Sequence, residues 1–197
     1  DLGKISLNLA IDGIGFTKKY LNTQIKGAIS QMDYNNYSYH NLEVNGNFKM
    51  PIYQGKVSIN DPNLNLSFDG LVDWTKKDSR FDFHIGIANA NLYQLKFTND
   101  ATSLLKGDIV VQVAGNTVDN LQGDVFVNQT TYTNSKSTYF FTNFKVNSSF
   151  DENKIRTITV NSPDIVEGKI EGKYKFNQLQ KLVENSLGSL YTNYKQN

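Results

Sequence analysis

VNGNF (residues 44–48), YQGKV (53–57) and SFDGLV (67–72) follow one pattern: an apolar residue, any residue, glycine, any residue, an apolar residue. Alternate residues of an extended strand point to opposite faces, so Val44, Gly46 and Phe48 share a face. The same holds for Tyr53, Gly55 and Val57, and for Phe68, Gly70 and Val72. Glycine therefore sits on the apolar side, between bulky neighbours. Inside a strand it costs backbone entropy and packs nothing, so its presence calls for a bend or a close approach. A sheet with glycines along its oily side can curl around something.

The pattern returns along the chain as IKGAI (25–29), LKGDI (105–109), LQGDV (121–125), and the overlapping VEGKI (166–170) and IEGKY (170–174). Between the copies, Ile5, Leu7, Leu9 and Ile11 alternate with polar or small residues, and so do Phe81, Phe83, Ile85 and Ile87, with Asp82 and His84 on the opposite face. Met50-Pro51 and Asn60-Asp61-Pro62-Asn63 mark hairpins, and residues 74–80 a polar turn. Residues 16–22 and 90–95 suggest short helical turns, 33–39 a turn with a short strand, and 130–138 a Ser/Thr/Asn loop. After residue 176 the period changes. Leu179, Leu182, Val183, Leu187, Leu190 and Tyr191 recur at helical spacing behind Asn177, a capping residue type.

These observations predict an all-β, mainly antiparallel chain: a repetitive β segment over 1–176 and an amphipathic helix with a tail over 177–197. Two architectures fit. In an elongated, curled groove the glycine copies are stacked units. In a β-sandwich they are bulges or corners, and no cavity exists.

Composition narrows the function. Twenty Lys plus Arg against 19 Asp plus Glu leave a net charge of +1, no general drive toward nucleic acid. No cysteine is present among the 197 residues, which removes disulfides and thiol chemistry. No run of residues is long and apolar enough for a membrane-spanning helix. The only histidines, His40 in a polar link and His84 on a polar strand face, read as solvated. Asp61-Pro62-Asn63-Leu64-Asn65 imitates the start of a calcium loop, but Leu66 stands where glycine is required and Val72 where the bidentate glutamate belongs. Without a nucleophile elbow, phosphate loop or metal motif, no catalytic residue, cofactor or metal ligand is expected.

The run 39–72, with its spaced glycines, SINDPNL (58–64) and FDGLVD (68–73), resembles the TamB family of AsmA-like translocation and assembly modules, above all its Bacteroidota branch. ANL (90–92), LQG (121–123), SPDIVEG (162–168) and NSLGSLYTNY (185–194) carry the same resemblance. It implies a taco-shaped β-groove in a bridge-like lipid transport protein. Such a protein is anchored in the inner membrane outside this segment and crosses the periplasm. It moves phospholipid toward the outer membrane or assists assembly with an outer-membrane β-barrel partner. The chain is then expected to be a piece of a longer protein. The expected lining of the groove is Ile25, Val44, Phe48, Val57, Ile59, Leu64, Leu66, Phe68, Val72, Ile109, Val111, Val113, Val125 and Val127. Gly27, Gly46, Gly55, Gly70, Gly107, Gly123, Gly168 and Gly172 are expected to widen it. The rival class is an extracellular β-sandwich that binds glycans or acts as an adhesin, suggested by 11 tyrosines and 12 phenylalanines able to stack on sugar rings.

Overall fold

A computed structural model describes residues 2–14, 22–77, 79–163 and 165–176. The turn expected over 16–22 lies almost entirely outside these residues, and the helix expected over 177–197 does so wholly. Among the described residues eleven strands form a single antiparallel sheet in chain order: β1 (Leu2–Ile14), β2 (Asn22–Tyr34), β3 (Tyr37–Lys49), β4 (Ile52–Asp61), β5 (Leu64–Asp73), β6 (Arg80–Asn91), β7 (Leu104–Ala114), β8 (Gln122–Thr133), β9 (Thr138–Phe150), β10 (Arg156–Ser162) and β11 (Val166–Gly172). Each strand packs against its chain neighbours, and β1 and β11 are the two edges. The sheet is open and at most slightly curled. No second sheet lies on either face among the described residues, so the sandwich alternative fails.

The hairpins follow their turn residues. Asn35 and Asn36 both take positive φ, 52° and 60°, as a two-residue hairpin turn needs. Pro51 and Pro62 stand at the next two reversals, and the Pro51 carbonyl accepts the Trp74 amide at 3.0 Å. The loop expected over 130–138 is shorter. Only residues 134–137 lie outside strands, because the Thr-rich flanks pair across the hairpin, Tyr132 with Tyr139 and Thr133 with Thr138. The expected helical turn at 90–95 begins on the last residues of β6 and includes one hydrogen bond of helical spacing, from the Leu95 amide to the Asn91 carbonyl at 3.0 Å.

Three irregularities gather at one end of the sheet. Asn41 in β3 and Gln129 in β8 have φ of 54° and 44°, and β6 slips register between Ile87 and Ala90. Each resets the alternation. Tyr39 and Ala90 thereby turn to the same side as Leu42 and Leu64, and all four are buried. Gly107 makes room for the bulge at Gln129, since a Cβ there would come within 2.6 Å of the Thr130 Cα.

The connection 92–103 folds down onto this end and drives Leu95, 1% exposed, among Tyr39, Leu42, Leu64 and Ala90. Polar contacts hold it from both sides. The Asn35 side-chain amide donates to the Lys96 carbonyl at 3.1 Å, and Asp100 accepts the Ser135 amide at 2.7 Å. This small core is the best-buried region of the sheet. Leu95→Ala is expected to destabilise the fold by about 2–5 kcal/mol, the range for a buried leucine. Phe97→Ala, on a side chain 59% exposed, should change stability by no more than about 0.5 kcal/mol. Urea midpoints of the two variants measure the difference.

Candidate functional site: an apolar face between two folded-down connections

The strand register aligns side chains into rows across the sheet. One row runs Leu9, Gly27, Val44, Val57, Phe68, Ile85, Ile109, Val127, Phe144. Beside it lies Ile11, Ile25, Gly46, Gly55, Gly70, Phe83, Val111, Val125, Val146, Val160, Gly168. Phe48, Val72 and Val113 belong to the next row, and Ile59 and Leu66 to the row on the other side. All the expected lining residues except Leu64 are partly exposed on this one face. Leu64 is buried at 8%, because the core under Leu95 covers it, so it supports the face without lining it.

The glycines divide into kinds. Gly46, Gly55 and Gly70 lie abreast on β3, β4 and β5. A Cβ at Gly46 would stand 2.8 Å from the Gly55 Cα, so only bare backbone fits. The gap is not empty: the Tyr53 hydroxyl reaches over it, 2.9 Å from where a Cβ would sit on Gly46 or Gly55, and donates to the Lys56 carbonyl at 3.1 Å. Tyr53, Phe68 and Phe83 then form a slanting aromatic chain, with ring centres 6.3 and 5.3 Å apart. These glycines allow close packing and a laid-down ring rather than a wider channel. Gly168 has no neighbour within 4 Å of a Cβ position, so space does not require glycine there.

Sequence reading left Phe81, Phe83, Ile85 and Ile87 outside the site, although their alternation was plain; the register places them in the same rows as the chosen residues. It also missed the far end of the face. There Val118 and Leu121 of the connection 115–121 join Val113, Val125, Val146, Ile158 and Phe176 around an apolar niche of about 150 Å³. Arg156, 2% exposed, holds this connection down. Its guanidinium donates to the carbonyls of Val118, Asp119 and Leu121 and to the Ser148 hydroxyl, between the rings of Phe150 and Phe176. No local motif announces such contacts, since their partners are backbone atoms of another loop.

The opposite face is polar. Lys56 pairs with Asp69, His84 with Asp108 and Lys145 with Asp124, each at 2.8 Å and largely in solvent. A shallow hollow of about 730 Å³ over β2 to β6 is lined by Lys26, Glu43, Lys56, Ser58, Asp69 and His84 together with Val44, Val57 and Phe68 of the apolar rows. Among the described residues no three His, Asp or Glu side chains gather as a metal site, and no helix is long and apolar enough to cross a membrane.

The expected polar link around His40 is part of β3, and His40 lies beside Asp61. Burial alone would raise the Asp61 pKa. Donation from the Tyr37 hydroxyl, from the Asn63 and His40 amides at 2.8 and 3.0 Å, and from the His40 ring outweighs it and holds the carboxyl below its usual value. The calcium-loop look-alike is thus a turn whose acid is occupied by local donors. A depressed folded pKa contributes stability in full above the unfolded value, about pH 4, and loses it as pH falls through the folded one. Asp61→Asn should therefore cost on the order of 1–3 kcal/mol at pH 7. The gap to the wild type should close as urea titrations are taken from about pH 4 downward.

Comparison with protein-family models, with curated proteins and with solved structures finds no match to this chain.

Proposed function

We propose that this chain is a section of an envelope-bridging protein of the TamB type, and that its apolar face shields phospholipid acyl chains in passage between two membranes. One observation carries the reading: a single-layer sheet presents apolar rows, one running from β1 to β9 and a second, interrupted by glycines, reaching β11, and no second layer covers them among the described residues. A soluble sheet ordinarily buries such a face. Left open, it is matched in chemistry by hydrocarbon, each methylene of which gains about 0.8 kcal/mol on leaving water. Rows of near-equivalent Val, Ile and Phe side chains offer no single deep site, which favours sliding over capture. The acids, amides and lysines of the other face keep the structure hydrated. Placement in the periplasm and an outer-membrane barrel as assembly partner belong to the same proposal and draw on the family resemblance.

Native mass spectrometry of the purified chain is expected to show co-purifying phospholipid; a delipidated chain that takes up none from vesicles would defeat the proposal. Position matters as well. Val57→Asp puts a charge in the middle of the apolar rows, whereas Ser58→Asp puts it on the wet side. Fluorescent-lipid uptake should fall about tenfold or more for Val57→Asp, since an uncompensated charge among apolar groups costs well over 1.4 kcal/mol. Ser58→Asp should leave uptake unchanged. Equal loss in both, with both variants folded by circular dichroism, would contradict the assignment of faces.

A further inference from the structure

Among the described residues, Arg156 is a charge without a counter-charge. It is buried at 2%, and no carboxylate among the described residues lies within ion-pair distance of it. Guanidinium does not deprotonate in proteins, so the charge stays. Carbonyl dipoles soften the cost of burial but bring no negative charge to match it. Of its five N–H groups, Nε and both on Nη1 are directed to Ser148, Val118 and Asp119, and one on Nη2 to Leu121. The second Nη2 hydrogen has no acceptor among the described residues.

A second donor stands nearby. Gly172 is the strand partner of Arg156, and the Tyr174 ring lies against Gly172, with its Cδ1 3.6 Å from the Cβ position. The Tyr174 hydroxyl is buried and has no hydrogen-bond partner among the described residues. Burial pushes its pKa up against the pull of the Arg156 charge, so at neutral pH it is a donor. A buried hydroxyl without a partner is costly and uncommon. Arg156 borders the niche of about 150 Å³, whose walls include Val113, Val125, Val146 and Ile158 of the apolar rows; Tyr174 stands next to Arg156, beside its strand partner and within reach of its charge.

We infer that this corner is a headgroup subsite: Arg156 and Tyr174 receive the oxyanion of an amphiphile, a carboxylate or a phosphate, while its hydrocarbon chain lies along the rows starting at Val113 and Val146. The inference rests on the lipid-shielding reading and deepens it. It gives the face one polar station where an anionic amphiphile is held in a defined orientation; a neutral one passes without it.

Three ligands with the same tail test it, dodecanoate, dodecyl phosphate and dodecanol, bound to the delipidated full chain at pH 8 below micelle-forming concentrations. Either or both anions should bind about tenfold more tightly than the alcohol, the value of one good charge-assisted hydrogen bond. Preference for the carboxylate points to a fatty acid, and preference for the phosphate to a phospholipid-type head. Arg156→Gln should abolish the preference. Because that change also releases residues 115–121, Tyr174→Phe carries the test if it fails to fold. It keeps the ring and should reduce the anion-to-alcohol ratio about threefold with alcohol binding unchanged, a ratio that a purely structural role would not move. Equal binding of anions and alcohol by the wild type, with Tyr174→Phe indistinguishable from it, would overturn the subsite and leave the lipid face standing. A folded wild type that binds none of the three would overturn both.

Discussion

The structure depends on phase. Each strand pairs with its chain neighbours, and among the described residues no second layer corrects a strand that turns its apolar set the wrong way. A one-residue slip in any pairing would send every following side chain to the other face. The row from Leu9 through Val44, Phe68 and Ile109 to Phe144 stays unbroken across β1 to β9. The irregularities near Asn41, Ala88 and Gln129 lie beyond this row, toward one end of the strands, where they bend the margin and leave the central rows in step.

The two ends of the strands are finished differently, and polar groups do the fastening at both. At one end Leu95 supplies the apolar plug, while Asn35 and Asp100 hold its connection by hydrogen bonds to and from backbone. Asp61 settles the neighbouring hairpin by accepting from Tyr37, His40 and Asn63. At the other end Arg156 grips the connection that carries Leu121 and Val118 to the edge of the niche. Between these margins the face keeps its Val, Ile and Phe side chains half exposed.

Much of this was legible in the sequence because period two is a local signal. Val44, Val57, Phe68, Val111 and Val125 fall on one face as their spacing required, and Pro51, Pro62 and the Asn35-Asn36 pair stand where the chain reverses. Single layer or double layer was not legible, since alternation describes a half-covered strand whatever covers it. Leu64 looked like its neighbours Leu66 and Phe68; its burial depends on Leu95, which arrives from a connection two strands later. The glycine row misled for a similar reason. Gly46 and Gly55 signalled a close approach correctly, but the ring that lies over them belongs to Tyr53, and its direction is a matter of rotamer, not pattern. Arg156 gave no signal at all, because carbonyl acceptors carry no residue identity.

Connections in this meander alternate between the two margins, so β1 and β11 run in the same direction and every added hairpin returns the chain to the margin it left. Neighbouring strands are about 4.8 Å apart, so eleven of them carry the apolar face roughly 48 Å. Length is thus quantised: duplication or loss of a hairpin changes the reach by about 9.6 Å and leaves the pattern of faces intact. A single-strand insertion would instead deliver all later loops to the wrong margin. A protein built this way works as a ruler whose graduations are hairpins, and its span can drift through evolution without any redesign of its surface chemistry.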